Sequence, residues 1–88
     1  MPYISDNMTL RILFFSVLRE QTGKKEIEVT MESPITTGDL WRHLAREYAA
    51  LAPYGGTVKL AVNHTYVDDR HELSDGDEVA LITPVSGG

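Results

Sequence analysis

Alternation with a period of two is the first pattern in the chain. From Met8 to Phe15, Leu10, Ile12 and Phe14 fall on one face and Arg11, Leu13 and Phe15 on the other, which predicts a strand. The second face is unusually apolar for a sheet surface. Ser16 is placed to cap a short helical turn through Val17-Leu18-Arg19-Glu20, after which Gly23 and Lys24 mark a reversal. Period two resumes from Glu26 to Met31, with Ile27, Val29 and Met31 together and Glu26, Glu28 and Thr30 opposite. The short connection predicts an antiparallel hairpin, because parallel neighbours need a crossover.

The period then lengthens. Pro34 ends the extended region, Thr36 is positioned as an N-cap, and Asp39 three residues later supplies the acid of a capping box. Leu40, Leu44 and Tyr48 recur at i+4, flanked by Trp41, Ala45 and Leu51, with Arg42, His43, Arg46 and Glu47 on the other side. This is an amphipathic helix that needs a sheet to cover. Ala52-Pro53-Tyr54-Gly55-Gly56 terminates it. Val58, Leu60 and Val62 then alternate with Lys59 and Ala61, Asn63-His64 makes a turn, and Tyr66-Val67 forms a short extension. Asp75-Gly76 supplies another turn before Val79, Leu81 and Thr83 alternate with Glu78, Ala80 and Ile82.

The order strand, strand, helix, strand, short strand, strand predicts an α+β domain. One helix covers one face of a mixed sheet, with the first and last long strands as central neighbours. Residues 8–83 form this single domain, residues 1–7 an N-terminal extension, and residues 84–88 a tail. With 88 residues the chain holds one core and not two.

Composition narrows the chemistry. The chain has no cysteine, which excludes disulfides, thiolate metal sites and cysteine nucleophiles. Thirteen acidic against eight basic residues give a net charge of −5, which disfavours nucleic acid and suits a basic protein partner. The first residues lack a basic segment followed by an apolar run, and no stretch is long enough to span a bilayer, so a cytoplasmic location is expected without membrane contact. His43, His64 and His71 lack metal-ligand spacing, and Gly55-Gly56 lacks the lysine and hydroxyl of a phosphate loop. The acids Asp68, Asp69, Glu72, Asp75, Asp77 and Glu78 read chiefly as turn caps and solubilising charge.

The last strand runs into Pro84-Val85-Ser86-Gly87-Gly88. Pro84 cannot donate a ladder hydrogen bond, so the tail leaves the sheet there. Two residues without side chains can thread a narrow tunnel and bring a terminal carboxylate against a nucleotide. A carboxylate is a poor electrophile until it is adenylated, and sulfur transfer to the activated carbonyl gives a thiocarboxylate. No cysteine in the carrier is required.

Four segments in this order carry a family resemblance: Leu13-Phe14-Phe15-Ser16-Val17-Leu18-Arg19-Glu20, the Val62-Asn63 step, Leu73-Ser74-Asp75-Gly76-Asp77-Glu78-Val79, and Pro84-Val85-Ser86-Gly87-Gly88. From Met8 to Gly88 the chain resembles the small, sulfur-carrying subunits of molybdopterin synthases, of the ubiquitin-like β-grasp family. One departure is Thr83, where these proteins often carry a second proline. The resemblance implies that an E1-like activating enzyme consumes ATP to adenylate Gly88, which a sulfur donor system then thiocarboxylates. The tail next enters the large catalytic subunit of a heterotetrameric synthase, where sulfur passes to cyclic pyranopterin monophosphate to build the molybdopterin dithiolene. The carrier binds no permanent cofactor. Gly88 bears the sulfur and Gly87 gives clearance.

The uncovered face, with Leu13, Phe15, Ala61, Ala80 and Ile82, joins Pro84, Val85, Ser86, Gly87 and Gly88 as the expected partner-binding set, since contiguous exposed apolar surface signals recognition. Three other readings share the tail. One is a β-grasp carrier for thiamine, cysteine or tRNA thiolation, another a ubiquitin-like modifier that joins Gly88 to a lysine, and the third an adaptor with incidental glycines.

Overall fold

The computed structural model describes residues 7–84. Five strands form one mixed sheet: β1 (Asn7–Phe14), β2 (Glu26–Glu32), β3 (Lys59–Val62), β4 (Thr65–Val67) and β5 (Glu78–Ile82). Their order is β2-β1-β5-β3-β4. β1 runs antiparallel to β2 and parallel to β5, with Ile12 opposite Val79 and Leu13 opposite Ala80. The first and last long strands are thus the central neighbours. β1 begins at Asn7, which pairs with Glu32, one residue inside the segment read as an extension.

The two faces of β1 differ sharply. Met8, Leu10, Ile12 and Phe14 are buried and meet Val79 and Leu81 of β5, Leu18, Leu51, and the inner stripe of helix α2 (Thr37–Glu47). Leu40 and Leu44 form that stripe, and Phe14 meets Tyr48 edge to face at 5.8 Å between ring centroids. The capping box forms in full: the Thr36 hydroxyl accepts from the Asp39 N–H and the Asp39 carboxylate accepts from the Thr36 N–H. Those bonds and the Arg42 guanidinium hold the Asp39 carboxyl below its ordinary value.

Two local expectations are corrected. Ser16 makes no side-chain cap on the short helix α1 (Val17–Thr22). It has φ 51°, and its backbone carbonyl, not its hydroxyl, accepts from Arg19 and Glu20. The amphipathic stripe predicted through Leu51 is also divided. α2 ends at Glu47, and Ala49–Tyr54 is a 3-10 helix that buries Leu51. Pro53 has no N–H to give the carbonyl four residues back, so a regular α-helix cannot continue through it.

The loop after β4 is tied to the start of α2. Thr37 N–H donates to the His71 carbonyl and Gly38 N–H to the Asp69 carbonyl, each at 2.9 Å. A Cβ on Gly38 would stand 2.9 Å from that same Asp69 oxygen, so only glycine fits.

Candidate functional site

Among the described residues, the helices pack on one face of the sheet and leave the other open. Leu13 on β1, Ala80 and Ile82 on β5, and Ala61 on β3 share this open face by strand parity, and Phe15 follows directly after β1. All five line one shallow depression of about 250 Å³. Phe15 is 37% exposed although it is a large apolar residue, and Leu13, Ala80 and Ile82 are half-buried. Ala61, at 7% exposure, forms the floor of the depression rather than its contact surface, because Tyr66 and Ala80 flank it in register.

Three further residues line the depression: Tyr66, His64 and Glu78. Tyr66, 66% exposed, also borders a groove that runs along Lys59, Val67 and Asp68 to Pro84. Sequence reasoning overlooked it because β4 is only three residues long. The available signal was parity, since Tyr66 lies opposite Ala61.

Asn63 fixes the turn that presents Tyr66. With φ 49° it takes the left-handed conformation that Asn tolerates. Its amide nitrogen donates to the Asp77 carboxylate at 2.9 Å, its side-chain oxygen accepts from Glu78 N–H at 3.0 Å, and its own N–H donates to the Glu78 carbonyl at 2.8 Å. The end of β3 and the start of β5 are therefore clamped together by a single residue.

Charge rims the apolar area. Arg11 binds Glu26 through two bonds of 3.0 and 3.1 Å and approaches Glu78 at 3.4 Å. The Arg11 hydrogen bond holds the Glu26 carboxyl below the usual range, and Glu26 in turn raises Arg11. His64 lies 3.8 Å from the other Glu78 oxygen. Much of the remaining acid caps backbone. Asp75 accepts from Thr9 N–H at 2.8 Å, Asp77 from Ser74 N–H at 2.8 Å, and Asp68 from Arg70 N–H at 2.9 Å. Among the described residues, no cluster of three metal-ligating side chains occurs and no helix is long and apolar enough to cross a membrane. Among the described residues the arrangement offers a recognition surface.

Pro84 is exposed at the end of the described chain, past β5. Val85, Ser86, Gly87 and Gly88 of the expected site lie outside the described residues.

Residues 12–88 match the ThiS family. The chain belongs to the ThiS family. It is 42% identical over 81 residues to the molybdopterin synthase sulfur carrier subunit of Escherichia coli, covering 90% of this chain and 99% of that protein. Among solved structures, the Haloferax volcanii HVO 2177 protein superposes with a TM-score of 0.83 at 31% identity, over 100% of this chain and 93% of that one. SAMP1 from Haloferax volcanii gives a TM-score of 0.82 at 25% identity, over 91% of this chain and 99% of that one. The fold is thus that of the ubiquitin-like β-grasp ThiS-family carriers.

Proposed function

We infer that this ThiS-family chain is the sulfur-carrier subunit of a molybdopterin synthase, a sulfur donor that works with a large catalytic subunit and holds no complete active site itself. Its near full-length likeness to a molybdopterin synthase sulfur carrier subunit supports the pathway. The observation that carries the mechanism is the junction at Pro84. β5 forms part of the apolar open face and runs straight to Pro84, four residues before Gly88, so a protein seated on that face meets the root of the tail.

The carrier's part in the reaction then has two stages. In the first, an E1-like enzyme presents ATP to the Gly88 carboxylate. A carboxylate oxygen attacks the α-phosphorus and pyrophosphate leaves, giving an acyl-adenylate. Hydrosulfide-level sulfur released by a donor system attacks the acyl carbon and AMP leaves, so Gly88 becomes a thiocarboxylate with no change of oxidation state. In the second, the large subunit receives the tail and the thiocarboxylate sulfur attacks a carbon of cyclic pyranopterin monophosphate and expels an oxygen substituent from it. Water then cleaves the resulting thioester, which leaves the sulfur on the pterin and returns Gly88 to a carboxylate. A dithiolene contains two sulfurs and each tail brings one, so each product consumes two charged carriers.

On this reading the chain's own residues bind and position. Leu13, Phe15, Ala80, Ile82 and Tyr66 supply the contact over the Ala61 floor, Pro84 starts the tail away from the sheet, and Gly87 lets Gly88 pass where a side chain would not. The charge of −5 favours encounter with basic partners, and the whole cycle is assigned to the cytoplasm. Likeness to SAMP1, a small archaeal modifier protein, keeps one second reading, in which the Gly88 carbonyl is passed to a lysine.

Removal of Gly88 tests the proposal in a reconstituted reaction with activating enzyme, sulfur source and large subunit. Sulfur transfer disappears while the melting temperature is unchanged. Transfer that survives the deletion refutes the role of Gly88, and isopeptide conjugates without a thiocarboxylate favour the modifier.

A further inference from the structure

β2 is one of the sheet's two outer strands and, at seven residues, the longer. Phe14 N–H donates to the Lys25 carbonyl at 2.8 Å, which sets the phase of the ladder. Ile27 and Val29 turn their backbone groups toward β1, so Glu28 and Thr30 turn theirs outward, away from the sheet. No backbone partner among the described residues takes up those outward groups.

The two sides of this edge differ in chemistry. On the helix side a trough of about 280 Å³ runs along it, lined by Ile27, Val29, Leu44 and Tyr48 with His43 and Glu47 at its rim. On the open-face side stand Glu26, shared with Arg11, and Glu28, which has no ion-pair partner among the described residues. Lys24 and Lys25 precede the strand, so negative charge dominates from Glu26 onward.

We propose that the β2 edge and its trough accept an extended segment of another protein as a sixth strand, one in which apolar residues alternate with Lys or Arg. Backbone bonds to Glu28 and Thr30 hold the added strand. Because its side chains alternate, one set enters the trough over Ile27 and Val29 and the other lies beside Glu26 and Glu28. Apolar residues fit the first environment and cations the second. A second copy of this chain does not fit, since pairing two β2 edges sets carboxylate against carboxylate. The apolar docking face spans β1, β5, β3 and β4, so the edge stays open while a partner occupies it. This surface is independent of the sulfur-carrier reading.

The probe is an acetylated, amidated heptapeptide of alternating valine and lysine, titrated at low salt into the full chain labelled for amide NMR. The expected shifts centre on Glu28 and Thr30 and leave Ala61 and Ala80 in place. Methylating the peptide nitrogens that face the edge weakens binding about tenfold or more, since several backbone bonds are lost at once. Exchanging lysine for glutamate does the same, and Glu28→Lys weakens the original peptide about threefold or more. The proposal is overturned if no shifts appear, if they cluster on the open face, or if the methylated or glutamate peptide binds equally well. A dimer through β2 in sedimentation overturns the choice of occupant.

Discussion

Truncating Tyr66 to alanine separates docking from folding. Tyr66 is 66% exposed in the free chain, so its removal costs the fold little. The usual effect of an exposed substitution is within about 0.5 kcal/mol. A tyrosine buries roughly 200 Å² when covered. Two thirds of that is roughly 130 Å² still available to a partner, worth about 3 kcal/mol at 25 cal/mol/Å². Immobilising the side chain takes back roughly 1 kcal/mol. About 2 kcal/mol remains, a loss of roughly 30-fold in affinity for the large subunit. Calorimetric titration of the two purified subunits measures it, with Tyr66→Phe as the control that keeps the apolar area and binds within about threefold of the parent. If Tyr66→Ala binds within threefold while its melting temperature matches the parent, the open face is not the docking surface assigned here.

Asn63→Ala removes two side-chain hydrogen bonds and with them the polar side chain that lets this position tolerate the left-handed region, so urea unfolding is expected to show a loss of about 2–3 kcal/mol. Gly38→Ala sets a Cβ against the Asp69 carbonyl and costs about 1–3 kcal/mol, read from the same transition. Asp39 gives a pH signature. Its folded carboxyl is held below the ordinary 3.8, so its contribution is complete above that value and is lost as the pH falls through the lower folded value. Asp39→Asn therefore flattens the acid limb of stability against pH below about 4, and an unchanged acid limb contradicts the capping role.

Much of the fold was legible because its signals are local. The alternation in β1 separates Leu10, Ile12 and Phe14 from Leu13, and that division is the division between core and open face. Thr36 and Asp39 announced the start of α2, and Asn63-His64 the turn before β4. What stayed hidden depends on distant partners. Ser16 has the composition of a cap, yet the chain's path from β1 into α1 sets its backbone at positive φ and its hydroxyl forms no cap. Leu51 keeps the helical spacing although α2 has already ended, because a 3-10 segment can bury the same side chain. The closeness of Gly38 to Asp69 has no trace in either neighbourhood. Tyr66 joined the open-face set only when β4 was paired with β3. For the tail the sequence is the whole basis, since Val85 to Gly88 lie outside the described residues.

Intact-mass analysis tests the central claim most directly. The full chain is incubated with an activating enzyme, ATP and a sulfur source, beside a carrier known to be charged under the same conditions. Exchange of one terminal oxygen for sulfur adds about 16 Da, confined to the C-terminal fragment, and is absent without ATP or when Gly88 is deleted. An unchanged mass while the reference carrier is charged, or a gain that survives loss of Gly88, contradicts the assignment of Gly88 as the sulfur-bearing terminus.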